Sequence, residues 1–205
     1  MLAPIGIRRE DKNPWERRVP LVPSQVARLI GEHELTIHVQ PSDQRIFPDE
    51  EYRKAGAKVQ EDLSSCQAIL GVKEMPLAFF ERGKTYLFFS HTIKGQPYNM
   101  PMLQRMMALQ CQLIDYERII DEKNRRLVLF GRHAGLAGMI ETLRALGERL
   151  SLEGVPGSQN PFSEIKPAYR YENLTEAKTH LSHLLDAVRR AQPVVQYPRL
   201  EHRPS

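Results

Sequence analysis

Residues 68–72 read AILGV and residues 86–89 read YLFF, two short apolar runs without alternation of polar and apolar positions. Runs of this kind suit the central strands of a parallel sheet, because helices cover both of its faces. Leu113 and Ile114, and LVLF at 127–130, have the same character. Upstream, Ile5 to Arg8 and Leu35 to Gln40 read as strands. Between them Pro23 to Glu32 reads as a helix with proline at its start and Val26, Leu29 and Ile30 on one face. Asp49 to Gly56 makes a short helix closed by glycine, and Met102 to Gln110 makes another with Leu103, Met106, Met107 and Gln110 at contact spacing. Strand and helix alternate, which predicts an α/β fold: a three-layer, open, mainly parallel sheet with helices on both faces, Rossmann-like or flavodoxin-like. The runs at 68–72, 86–89 and 127–130 are expected as neighbouring strands of that sheet.

From Gly135 the period changes. Leu136, Met139, Ile140, Leu143, Leu146 and Leu150 recur every three or four residues and predict a long helix continuing to Leu152. Gly135 and Gly138 are expected to let another backbone approach its start. Residues 153–173 hold three prolines and two glycines, a connector composition. A further helix follows, capped by Asn173 or Thr175, with Ala177, Leu181, Leu184, Leu185 and Val188 as its stripe. The expected organisation is an α/β substrate-side domain over 1–152, a connector and C-terminal helix over 153–195, and a tail over 196–205 that opens after one possible short strand in PVVQY.

The 29 basic and 25 acidic residues alternate in sign along the chain instead of forming a block. Nucleic-acid proteins concentrate charge on one face, so no nucleic-acid partner is expected. No apolar run approaches the about 18 residues of a membrane span, and the first residues carry charge from Arg8 with no apolar signal region. The cytoplasm, with no membrane partner, is the expected setting. Cys66 and Cys111 form no CxxC and read as free thiols, and the seven histidines form no metal-ligand spacing, His180 and His183 included. No metal site is expected.

Nothing matches GxGxxG after a strand or GxxxxGK[ST], so the usual loop for nucleotide phosphates is missing. The candidate chemistry falls at strand ends. Lys73 and Glu74 follow AILGV, and Ser90 and His91 follow YLFF; adjacent parallel strands bring both pairs to the carboxyl edge of the sheet, where ligands bind. Lysine and histidine there serve either as proton donor and acceptor or as ordinary strand-end residues. Arg18, in WERRVPLVP, either pairs with a buried glutamate or holds a substrate carboxylate in its planar fork. Glu117 either orients Lys73 or His91 or is a solvated strand end.

Six ordered motifs then give a resemblance: GIRREDKNPWERRVPLVP, QPSDQRIFPDEEYRKAGA, ILGVKEMP, TYLFFSHTIKGQPYNMPML, LIDYERI and RRLVLFGRHAGLAGMIETLRALG. Together, over about residues 4 to 150, they resemble the amino-terminal domain of lysine 2-oxoglutarate reductases and saccharopine dehydrogenases, and more distantly that of alanine dehydrogenase and pyridine nucleotide transhydrogenase. The resemblance implies the substrate side of a two-domain oxidoreductase, in which a Rossmann domain holds NAD or NADP and lysine and 2-oxoglutarate are joined as an imine that hydride reduces to saccharopine. It implies proton transfer by Lys73 and His91, carboxylate binding by Arg18, and tuning of the Lys/His pair by Glu74 and Glu117. No coenzyme is expected on this chain alone; NAD or NADP is expected through a partner domain, and the protein partner expected is a separate Rossmann-domain subunit or a second copy in a homo-oligomer. The small-molecule partner implied is an amino acid or keto acid. The alternative function is a non-catalytic amino-acid or keto-acid binding domain, or a subunit-interaction domain.

Overall fold

The computed structural model describes residues 3–190, and the side chain of Arg190 and residues 191–205 lie outside the description, with the possible strand in PVVQY and the expected tail. The chain divides into two compact units, Met1–Leu129 and Phe130–Ser205. This division falls ahead of the long helix, whereas composition placed a domain boundary behind it, at 152.

The first unit is a six-stranded parallel sheet. In chain order its elements are β1 (Ile5–Ile7), α1 (Pro23–His33), β2 (Ile37–Val39), α2 (Asp49–Lys54), β3 (Lys58–Val59), β4 (Ala68–Leu70), β5 (Thr85–Phe88), α3 (Met100–Ala108) and β6 (Gln112–Asp115). The spatial order is β3-β2-β1-β4-β5-β6, so the direction of winding reverses between β1 and β4. Such a switch point opens a crevice at the carboxyl ends of the two strands.

The register explains the three layers. Ile7 lies beside Val39 and, with Ile37, packs under Val26 of α1 and Tyr52 of α2. Gly6 lies beside Ile69, which lies beside Tyr86, and these positions face the other way, where Phe88, Met102 and Met106 bring in α3. Helices therefore cover both faces. Gly6 sits tightly there, since a Cβ would lie 3.2 Å from Leu63 and 3.3 Å from Cys66. Cys66 and Cys111 are free thiols.

Two expectations are corrected. LVLF at 127–130 is not a strand: Leu127 is 62% and Leu129 57% exposed, and the chain before them turns through Asp121 and Arg125 around an isolated antiparallel bridge between Ile120 and Arg126. The two-residue β3 carried too few apolar side chains to be read in advance.

The second unit contains α4 (Gly131–Leu152) and α5 (Leu174–Arg190), with short 3-10 turns between them. Its core is Ile140, Ile165, Tyr171, Ala177 and Leu184. Asn173 caps α5, its Oδ1 accepting from the Glu176 N–H at 2.9 Å. The second correction is here. Gly135 and Gly138 face open space, and close approach occurs instead at Gly147, where a Cβ would lie 2.4 Å from the Phe162 carbonyl oxygen.

Candidate active site

The carboxyl ends of β4 and β5 continue to pair beyond the strands, with the Gly71 N–H donating to Leu87 O at 2.9 Å and the Phe89 N–H to Val72 O at 3.1 Å. This zipping carries residues 72–74 and 89–91 side by side. Glu74, 8% exposed at its side chain, accepts a hydrogen bond from His91 Nδ1 at 2.8 Å through Oε1, while Oε2 pairs with Lys12 Nζ at 2.5 Å. Burial raises the Glu74 pKa, yet the hydrogen bonds from Lys12 and His91 outweigh it and hold the carboxyl down at about 2. His91 is 30% exposed at its side chain, and its ring stacks near Phe89, which meets Tyr116 edge-on.

Lys73 is half-buried beside this pair, and its ammonium makes no hydrogen bond or ion pair among the described residues. Its backbone is held from the loop that follows β1: Glu10 accepts from the Val72 N–H at 2.6 Å and the Lys73 N–H at 3.0 Å. Burial pushes the Glu10 carboxyl up, against those two N–H groups.

Arg18 meets the buried Glu16 through two bonds, Nε to Oε1 at 2.8 Å and Nη2 to Oε2 at 2.5 Å. Burial acts to raise Glu16, but the Arg18 hydrogen bonds and the positive charges of Arg18 and Lys73 hold it below the ordinary carboxylate range. Lys73 thus lies within electrostatic reach of the Arg18–Glu16 pair. Glu117 pairs with Arg126 at 2.9 Å and makes no bond to Lys73 or His91.

Of the residues singled out from the sequence, the structure joins Glu74 to His91, sets Lys73 next in the same turn, and gives Arg18 and Glu117 partners of their own. Glu10, Lys12 and Asn99 were not read from the sequence. Glu10 and Lys12 follow the first strand at the carboxyl edge of the sheet, the position that could have flagged them. Asn99, in a turn before α3, carries no such signal. A cavity of about 720 Å³ opens beside this network, lined by Arg9, Glu10, Lys12, Asn13, Pro41 and Gln44 among others, but not by Lys73, His91 or Arg18. Its volume is in the range of small-molecule pockets. Among the described residues no group of three metal-ligating side chains occurs, and no helix is long and apolar enough to cross a membrane.

The family described as alanine dehydrogenase/PNT, N-terminal domain, matches residues 6–137, which hold all of the sheet but Ile5 and every residue of this network. The chain belongs to this family. Curated relatives of this alanine dehydrogenase/PNT N-terminal domain align over most of its length. The mitochondrial alpha-aminoadipic semialdehyde synthase of Rattus norvegicus is 42% identical over 173 residues, which cover 84% of this chain and 18% of that protein. The saccharopine dehydrogenase [NAD(+), L-lysine-forming] of Yarrowia lipolytica is 32% identical over 166 residues, covering 77% of this chain and 45% of that protein. The chain therefore spans less than half the length of either relative. The solved transhydrogenase of Sinorhizobium meliloti is similar with a TM-score of 0.49 and 16% identity, covering 73% of this chain and 41% of that one.

Proposed function

We propose that this domain is the substrate-binding and proton-transfer part of a lysine 2-oxoglutarate reductase or saccharopine dehydrogenase-type oxidoreductase. The observation that carries the reading is the built Glu74–His91 pair at the carboxyl edge of a doubly wound sheet, with Lys73 directly before Glu74 in the chain and its ammonium, whose charge acts on Glu16, without a hydrogen bond or ion pair among the described residues. Condensing an amine with a keto acid removes a proton from the amine and water from the carbinolamine, so a base and an acid must lie within hydrogen-bond reach. His91, backed by an ionised carboxylate, is suited to take a proton. Lys73 is suited to give one to the departing oxygen. Arg18 is suited to a dicarboxylic substrate if a substrate carboxylate shares the guanidinium with Glu16.

The described residues do not fit a dinucleotide. No glycine loop follows β1, and the free N–H groups at the end of β4 already serve Glu10. Hydride transfer is therefore assigned to a coenzyme domain outside these residues, as a partner or as further chain, and no step is derived through it.

The test is steady-state turnover with a coenzyme domain supplied. Lys73→Met and His91→Gln are each expected to lower the maximal rate by roughly 10²- to 10⁴-fold with the circular dichroism spectrum unchanged. Arg18→Met is expected to weaken apparent substrate affinity more than the saturated rate. Full activity in both the Lys73 and His91 variants would leave the alternative, a binding domain without catalysis.

A further inference from the structure

Asn99 is 5% exposed and ends the turn before α3. Its Nδ2 faces three oxygens: Ser90 O at 2.9 Å, Glu74 Oε1 at 3.1 Å and His91 O at 3.3 Å. Carbonyl and carboxylate oxygens only accept, so the amide must present its NH₂ group to all three, with the longest contact shared. Two of these oxygens belong to the peptides that flank the His91 α-carbon. That residue has φ +50, the left-handed region in which a side chain other than glycine's is strained. One buried side chain therefore holds both the strained backbone of His91 and the carboxylate oxygen its ring faces.

The same oxygen decides which ring nitrogen carries the proton. Glu74 Oε1 receives Asn99 Nδ2 and His91 Nδ1, and Oε2 is taken by Lys12. An ionised carboxylate offers only lone pairs, so at 2.8 Å the neutral imidazole must carry its hydrogen on Nδ1. No bond to Nε2 occurs among the described residues.

We propose that Asn99 is a positioning residue that locks His91 in the Nδ1-protonated tautomer, leaving the Nε2 lone pair as the base of the site. The proposal deepens the acid–base reading above and rests on it for its catalytic meaning. Asn99 acts through Glu74 and the 90–92 backbone and touches no reacting atom. Without it the carboxylate loses one of the donors that fix it, and the two carbonyls lose the donor that holds His91 in its left-handed conformation. The ring still meets an accepting carboxylate but is no longer held in line with it, and the preference for the Nδ1-protonated tautomer weakens.

The experiment is nuclear magnetic resonance on the full chain with ¹⁵N-labelled histidine, without substrate or coenzyme, at a pH where His91 is neutral. The His91 signals are assigned by their loss in His91→Gln. In the wild type the Nδ1-protonated form is expected to exceed the Nε2-protonated form by at least about 10-fold, and in Asn99→Leu the ratio is expected to fall to about 3-fold or less. The Asn99 side-chain amide protons of the wild type are expected to exchange with solvent at least about 10-fold more slowly than those of the exposed Asn124. A wild-type His91 protonated on Nε2, an unchanged ratio in a folded Asn99→Leu, or unprotected Asn99 amide protons would each overturn the proposal. If Asn99→Leu does not fold, the two wild-type measurements still decide. None of these readouts involves turnover, so kinetic failure of Lys73 and His91 and failure of the tautomer lock are told apart.

Discussion

YLFF at 86–89 and LVLF at 127–130 are almost the same word, yet the first supplies a central strand and its buried exit and the second lies open. Tyr86 and Phe88 are fully buried between β4 and β6 and beneath α3, whereas Leu127 and Leu129 are more than half exposed. Apolar composition states what a segment gains on burial and not whether a neighbour is present to bury it. YLFF has parallel partners on both sides; among the described residues the ladder contact near LVLF is one isolated bridge at Arg126. The difference also decides chemistry, because a strand locked on both edges delivers its next residues, Ser90 and His91, to a fixed place.

The comparison breaks first on stability. Phe88→Ala should cost about 3–5 kcal/mol, the range for emptying a fully packed aromatic site. Leu129→Ala should stay within about 0.5 kcal/mol, as for other exposed positions. Urea unfolding of the two variants measures both, and equal losses would mean that LVLF is buried in solution.

The turn that follows β4 sharpens the same contrast through pH. Glu74 ionises at about 2 in the folded chain against its ordinary 4.5. Its stabilisation is fully present above about pH 4.5 and is lost as pH falls toward 2. With solvent screening of the partly accessible partners, Lys12 above all, the amount is about 2 kcal/mol. Glu74→Gln should be less stable than wild type by about this amount at pH 6 and should converge with it near pH 2. A gap that persists unchanged at pH 2 would assign the loss to packing instead of charge.

A smaller effect separates two glycines of α4. Gly147→Ala forces a methyl group against the Phe162 carbonyl and should destabilise the second unit by about 2 kcal/mol. Gly135→Ala meets nothing and should stabilise the helix by up to about 1 kcal/mol. Thermal unfolding followed by circular dichroism reads the signs, which should be opposite.

The sheet was legible because its strands are buried on both faces and so are written as unbroken apolar runs at 68–72 and 86–89. The site was legible only in part. Lys73, Glu74 and His91 stand within two residues of the ends of such runs, and strand order brings Glu74 to His91. For Arg18 the sequence leaves a buried glutamate or a substrate carboxylate as partner, and the structure shows the first, with Glu16 two residues away; the ion pair of Glu117 with Arg126 depends on a loop path that no periodicity encodes. Asn99 was invisible for the same reason: its partners are two carbonyls and a carboxylate, and a backbone carbonyl has no sequence signature. Gly135 and Gly138 were misread because close packing requires a partner backbone, and the one that comes, at Phe162, lies in a connector of irregular turns.

The loop leaving β1 has a consequence for how the site responds to substitution. Glu10 holds the Lys73 peptide, Lys12 holds Glu74, and Glu16 holds Arg18, so three candidate site residues are tied to one short strap. The energies of these contacts are then not independent quantities. In a double-mutant cycle, changing Glu10 together with Lys12 should give a total different from the sum of the single changes, because the first substitution already loosens what the second removes. The loop acts as one cooperative part, and its residues are to be read as a unit.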